Sequence, residues 1–298
     1  TTAILGSTLA PEMERRGYKK PMSLGPILGS GGLAVMIPPS GLAILIGGLA
    51  GISVGGLLIG GIVPGLLMAF FYGSYIILRC WLQPSIAPAY KEDPTPLSEK
   101  LSLTARYILP VGIVVFAVLG LIFLGIATPS EAAATGVLGS MILVSLHGRL
   151  NWQLVKKSVM GTTKVTGMLF LIIAGGAAFS QILAFSGATH NLVKLVANLP
   201  LTMVQIIIIM QLCLVILGCF MSVVPIMLIT LPIFMPVVHA LGINEIWFGI
   251  LTLLSMEMSG TTPPFGSYLF VMKAVAPKGT TMADCYKAGL PFLGCDAL

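Results

Sequence analysis

Two short stretches set hydroxyl-bearing residues beside a proline doublet. One is Ile37-Pro38-Pro39-Ser40; the other is Thr261-Thr262-Pro263-Pro264, followed by Phe265-Gly266. Each lies in apolar sequence, and no charged residue occurs from Pro21 to Leu78. Proline lacks an amide donor and clashes with the preceding turn, which costs about 3 kcal/mol in a helix interior. Carbonyls freed in lipid cost more unless something satisfies them. A sodium ion can do so, because hard cations take oxygen ligands and neutral carbonyls and hydroxyls suffice for one charge. These residues therefore suit cation ligation, with Ser40 at the first break and Thr261 and Thr262 at the second. A plain kink would explain a single proline, whereas two doublets in matched settings favour a site.

Two other features have chemical potential. Glu257 is the only carboxylate in the second broken segment, and intramembrane acids are functional candidates by default. It lies a full turn before Thr261, which suits orienting the break by hydrogen bonds better than direct ligation. Gly51-Ile52-Ser53-Val54-Gly55 matches the G-x-S-x-G nucleophile elbow. That motif needs a strand before it, a helix after it, an acid and a base. Here it joins two apolar helices, and His147, His190 and His239 map to helix ends or outside loops. The pattern reads as a Gly-Ser turn, which leaves an intramembrane serine hydrolase as a remote alternative and the chain as no enzyme.

The elements that must hold the breaks are membrane helices. The 298 residues are 56% hydrophobic and 9% charged, with a mean hydropathy of +1.01. Soluble domains carry about 25% charged residues. The composition predicts an all-α polytopic membrane protein, because charge-free runs at Pro21–Leu78, Tyr107–Ser130, Val165–Thr189 and much of Leu195–Asn244 each hold a span. The net charge of +6 sits in short connectors between these runs, as the positive-inside rule expects, and not on a nucleic-acid-binding face. Cys80, Cys213, Cys219, Cys285 and Cys295 have no metal-ligand spacing.

A short helix is predicted at Thr2–Met13, a broken crossing at Leu24–Gly47 and a second crossing at Val54–Leu78. Residues 79–106 form a proline-punctuated surface connector. Tyr107–Ile126 crosses next. Thr128, Pro129 and Glu131 form a capping box that opens a helix to about Leu146, which makes Glu131 structural. Gly161–Phe185 follows. Leu201–Leu217 and Ile226–Leu241 are short for full spans, so 201–241 reads as a re-entrant hairpin. Trp247–Met272 is the second broken crossing, and a last helix opens at Tyr286. With no initiator Met and an apolar segment starting at the end, the chain reads as a fragment lacking an N-terminal part and the last helix.

The segments repeat. Pro11 precedes Pro38 by 27 residues and Pro236 precedes Pro263 by 27, with Gly17 and Gly242 at matching offsets. If the hairpin dips in and out on one face, Arg15–Lys20, the 79–106 connector, Arg149–Lys157 and Lys273–Lys287 all lie on the cytoplasmic side. The two Pro-Pro helices then run in opposite senses. Residues 1–78 are the C-terminal part of a first inverted repeat, and 107–298 are the second. In such folds substrate and ion bind at the breaks near the bilayer midplane. Ser40, Thr262, Pro264 and Gly266 are accordingly the candidate substrate contacts.

The segments "PEMERRGY" (Pro11–Tyr18), "IPPS", "TPSEAAA", "GCFMSVVPIMLITLPIFMPV" and "MEMSGTTPPFGSYLF" resemble, in order, the large membrane subunit of tripartite ATP-independent periplasmic (TRAP) transporters. The resemblance implies a sodium-driven elevator importer in a prokaryotic inner membrane. Its substrates would be organic acids such as dicarboxylates, keto acids or sialic acid. It also implies two partners, a periplasmic binding protein and a small membrane subunit, and no cofactor beyond sodium as coupling ion. Carried over, one sodium site falls on Ile37, Pro38, Pro39 and Ser40, and the other on Gly218, Ser222, Thr261, Thr262 and Pro263. Two departures stand out: the family's Gly-Ser-Ser hairpin tip would precede Thr1, and the commonly acidic position at Ser222 is neutral. A stand-alone sodium–dicarboxylate carrier and a passive channel are the alternatives.

Overall fold

The computed structural model describes residues 1–88 and 96–298, so Lys91 and Pro94 of the connector lie outside the described residues. Among the described residues every regular element is helical. In chain order these are α1 (Thr2–Arg15), α2 (Lys20–Met36), α3 (Gly41–Ala50), α4 (Val54–Gly60), α5 (Ile62–Leu82) and α6 (Leu97–Leu103). There follow α7 (Leu109–Phe123), α8 (Pro129–Leu146), α9 (Trp152–Phe185), α10 (Ala188–Ala197) and α11 (Met203–Gly218). The last are α12 (Val223–Ala240), α13 (Glu245–Thr261), α14 (Ser267–Val275) and α15 (Met282–Asp296). Among the described residues five stretches are long and apolar enough to cross a membrane, at Val54–Leu82, Leu97–Phe123, Pro129–Leu146, Trp152–Phe185 and Val223–Ala240. The pair α2 and α3, bent by 41°, makes a sixth. The chain is an all-α, multi-pass membrane protein.

The chain forms two compact units, Thr1–Tyr90 with Gly175–Leu298, and Lys91–Ala174. These units do not coincide with the expected boundaries at residues 78 and 107, and the larger one joins helices from both ends of the sequence. In the smaller unit α7 and α8 run antiparallel, with Gly136 and Gly139 set against Val118 and Val114. The Thr128 capping box forms as expected: the Thr128 amide donates to Glu131 at 2.7 Å and the Glu131 amide to the Thr128 hydroxyl at 3.4 Å. The sequence places a helix start near Tyr107, but the helix begins at Leu97 and passes through a wide π turn at Thr104–Ile108. Pro110 cannot donate to the carbonyl one turn back, which loosens the ladder there.

In the larger unit the helices flanking the two breaks pack in a matched pattern. α1 packs on α2 and α14, while α12 packs on α13 and α3. α2 and α13 cross each other. A glycine row on α2 admits its neighbours closely: the Phe292 ring of α15 occupies the space a Cβ on Gly25 or Gly29 would need. Tyr72 of α5 meets the same ring edge-on, 5.1 Å between centroids. α11 and α12 are joined by the short turn Cys219–Ser222 and are 16 and 18 residues long. His147 and His239 lie at helix ends, but His190 lies within α10, so the expectation that it falls in a loop is corrected. Ala188, Leu192, Leu195 and Val196 recur at helical spacing, which supports a surface helix there. Ser53 caps α4, its hydroxyl accepting from the Gly56 amide at 3.2 Å. The G-x-S-x-G pattern is therefore a helix start.

Candidate functional site

The two proline doublets interrupt the two crossing helices in the same way. α2 ends at Met36, the chain bends through Pro38 and Pro39 between extended Ile37 and Ser40, and α3 starts at Gly41. α13 ends at Thr261, and α14 resumes at Ser267 after Thr262–Gly266. Both Pro-Pro bonds are cis. In an uninterrupted helix the amides of residues 38 and 39 would bond the carbonyls of Ala34 and Val35, and those of 263 and 264 the carbonyls of Ser259 and Gly260. Proline has no such amide. Four main-chain carbonyls thus lose their helical donors at the breaks.

At the first break the remaining ladder is tidy. The Ile37 amide donates to the Leu33 carbonyl at 2.8 Å. Ser40 is buried and its hydroxyl accepts from the Ala43 amide at 3.3 Å, as an N-cap does. Pro38 is buried and Pro39 exposed. Gly61 and Gly65, at the α4–α5 junction, close the other side: a Cβ on Gly61 would lie 2.9 Å from the Met36 carbonyl, and one on Gly65 would press 2.8 Å against Ile37. Thr2 of α1 touches Gly31 one turn before the break.

At the second break the hydroxyls fold inward. Thr261 and Thr262 both donate to the Met258 carbonyl, at 3.0 and 2.6 Å. A hydroxyl that donates keeps its lone pairs, so both oxygens can still act as ligands. Gly218, the last residue of α11, lies against this turn, with the Ser259 Cα only 2.8 Å from where a Gly218 Cβ would stand. Ser222 is the exposed N-cap of α12 and makes no side-chain cap bond. The Pro264 carbonyl accepts from the Tyr286 hydroxyl at 2.9 Å. Gly266 is pressed against the carbonyls of Gly260 and Thr262, a closeness only glycine permits.

The structure thus gathers Ile37, Pro38, Pro39 and Ser40 at one break, and Thr261, Thr262, Pro263, Pro264 and Gly266 at the other, with Gly218 beside the second. Glu257 lies one turn above the second break, fully buried, and neither of its oxygens accepts a hydrogen bond from any described residue. The expected hydrogen bonds from Glu257 to the break are therefore not among its contacts. Sequence reasoning missed the residues that close the breaks from behind, Gly61, Gly65 and Tyr286. Their only signal was glycine in an apolar run and a tyrosine opening a late helix. Chemically the two breaks offer neutral carbonyl and hydroxyl oxygens in surroundings that range from buried at Ser40 and Thr261 to half-buried at Thr262 and exposed at Pro264, a set suited to a hard monovalent cation.

The chain is similar to several proteins named as TRAP transporter permeases. The C4-dicarboxylate TRAP transporter large permease protein of Pseudomonas aeruginosa is 32% identical over 98% of this chain and 67% of its own length. The ectoine TRAP transporter large permease protein of Halomonas elongata is 29% identical over 98% of the chain and 67% of its own. The isethionate TRAP transporter permease protein of Oleidesulfovibrio alaskensis is 30% identical over 93% of the chain and 43% of its own. The chain spans about two thirds of the length of the first two. Over residues 1–298, the chain belongs to the family described as the tripartite ATP-independent periplasmic transporter, DctM component.

Proposed function

We propose that the chain forms the substrate-conducting part of a sodium-coupled importer of an organic acid of the dicarboxylate, keto acid or sialic acid class. The observation that carries this reading is the pair of breaks, each lined by donor-deprived carbonyls and hydroxyl oxygens, on two helices that cross. Sodium is cargo here: Ile37, Pro38, Pro39 and Ser40 would ligate one ion, and Gly218, Ser222, Thr261, Thr262 and Pro263 another. A bound cation satisfies carbonyls that lipid cannot, which gives the ion a stake in how the breaks are held. The substrate would sit alongside, against Ser40, Thr262, Pro264 and Gly266, and its anionic group would be drawn to the ions. Movement of the broken helices against a scaffold then carries both across the membrane, in the manner of an elevator.

The working assembly adds a periplasmic binding protein that delivers substrate and a small membrane subunit, in the inner membrane of a prokaryote. Relatives are named for C4-dicarboxylate, ectoine and isethionate, so the cargo varies among proteins similar to this chain. Selection by the soluble partner explains that spread. The test is uptake into proteoliposomes holding the full transporter, with its binding protein, under a sodium gradient. Thr262→Ala and Ser40→Ala should each raise the sodium concentration needed for half-maximal uptake several-fold. Unchanged sodium dependence in both variants would remove the breaks from ion binding. Uptake without the soluble partner would point to a stand-alone carrier.

A further inference from the structure

The two broken helices meet at equivalent places in the repeat. Gly32 lies six residues before Pro38, and Glu257 six before Pro263. A Cβ on Gly32 would overlap the Glu257 carboxyl. The first repeat therefore supplies a hollow and the second fills it with an acid. Glu257 is 0% exposed, and both its oxygens lack a hydrogen-bond donor among the described residues.

What faces Glu257 is a second acid. Asp296 ends α15, is 4% exposed, and lies within hydrogen-bonding reach of Glu257. Asp296 Oδ1 accepts from the Tyr72 hydroxyl of α5, whereas Oδ2 has no donor. Among the described residues, Tyr268 of α14 lies near Glu257, and Cys295 of α15 near Asp296. α2, α3 and α4 bring no titratable side chain to this level, and α11 offers Gln211, which accepts from Ser255 at 2.8 Å. The cations of the neighbouring elements are engaged or distant: Lys273 donates to the Thr280 carbonyl, Lys20 pairs with Asp284, and His239 pairs with Glu245. Among the described residues the groups that act on the two acids are each other and Tyr72, and no cation is among them.

An ionised carboxylate can only accept a hydrogen bond. Two of them in contact in a dry interior would leave two like charges with neither a counter-charge nor a donor. One proton turns that contact into an O–H···O⁻ hydrogen bond, among the strongest in proteins. The geometry points to a proton-binding site in which Glu257 and Asp296, braced by Tyr72, hold one proton between them where the broken helices cross. Glu257 donates to Asp296, Tyr72 donates to the same carboxylate, and the pair carries a single negative charge. Losing the proton would place two charges between α2, α5, α13 and α15. Protonation is thereby tied to how tightly the helices that carry the breaks are held.

Infrared spectroscopy of the full-length transporter at neutral pH reads this directly and needs no transport. A protonated-carboxyl C=O band should be present, shift in D₂O, vanish in Glu257→Gln, and move in Tyr72→Phe, which removes one donor to Asp296. Exchanging choline chloride for sodium chloride should leave it in place. If Glu257→Gln fails to fold, Asp296→Asn serves instead, since loss of the charged acceptor must shift the same band. Absence of the band, its indifference to all of these substitutions, or its disappearance on adding sodium would overturn the assignment. The last outcome would make the pair a sodium ligand. Because the readout is spectroscopic, failure here leaves the sodium reading of the breaks standing, and the reverse holds too.

Discussion

The two broken helices share one backbone device and differ at several matched positions around it. Lys20 and Glu245 both stand 18 residues before their proline doublets. Lys20 pairs with Asp284 of α15 at 3.0 Å, and Glu245 with His239 of the preceding helix at 3.5 Å, so the charge is reversed. At the crossing, Gly32 is matched by Glu257. After the break, Gly41 has open space where a Cβ would go, whereas its counterpart Gly266 is wedged between carbonyls. Both breaks carry the prolines, which set the path of the chain. Many of the side chains around them differ, which gives the two breaks different packing and different oxygen ligands.

The largest difference should appear at the matched glycines. Gly266→Ala drives a methyl to 2.8 Å from the Gly260 carbonyl, and backbone cannot yield cheaply. It should cost about 1–3 kcal/mol by thermal unfolding in detergent. Gly41→Ala, with nothing within 4 Å, should be neutral or stabilise by up to about 1 kcal/mol in the first turn of α3. Equal responses would mean the two breaks are packed alike.

The hydroxyls provide the next contrast. Ser40 caps α3, so Ser40→Ala should cost about 1 kcal/mol. Thr262 only bonds back to its own helix, and Thr262→Ala should cost about 0.5 kcal/mol. Stability and sodium dependence then separate: the serine variant loses both, the threonine variant mainly the second. A reversed stability order would count against Ser40 as the cap.

The smallest effect concerns the helix starts. Asp284 lies in the first turn of α15, before the apolar stretch. Hydrogen bonds from the Thr281 backbone and hydroxyl, then Lys20, hold its carboxyl down to about 2. A carboxylate held below its unfolded value contributes stability that is complete above the unfolded pKa, near 3.8, and is lost as pH falls through about 2. Asp284→Asn should therefore lower stability at pH 7, by less than about 0.5 kcal/mol because solvent screens the group. The gap to the unsubstituted protein should close between about pH 4 and pH 2. A gap that persists at pH 2 would assign the effect to packing.

Much of this was legible in the chain. Proline doublets in charge-free runs locate both breaks because proline acts on its own local backbone, and the Thr128–Glu131 box is equally local. What stayed hidden depends on distant segments meeting. Glu257 announced itself as an intramembrane acid, but its neighbours Asp296 and Tyr72 come from other helices, and Gly32 gave no sign of facing it. Gly61 and Gly65 were indistinguishable from the many other glycines of their run. The start of the Tyr107 helix was misplaced because charged residues at Glu99, Lys100 and Arg106 look like a connector, although a helix tolerates them at its exposed end.

The lodging of Phe292 across Gly25 and Gly29 has a mechanical corollary. These notches are one helical turn apart, about 6 Å along α2. With the ring seated there, α15 cannot creep along α2 by small amounts, because any partial slide rides the ring up onto bulkier neighbours. The two helices are indexed like a pawl in a ratchet tooth, and they shift as one piece or not at all.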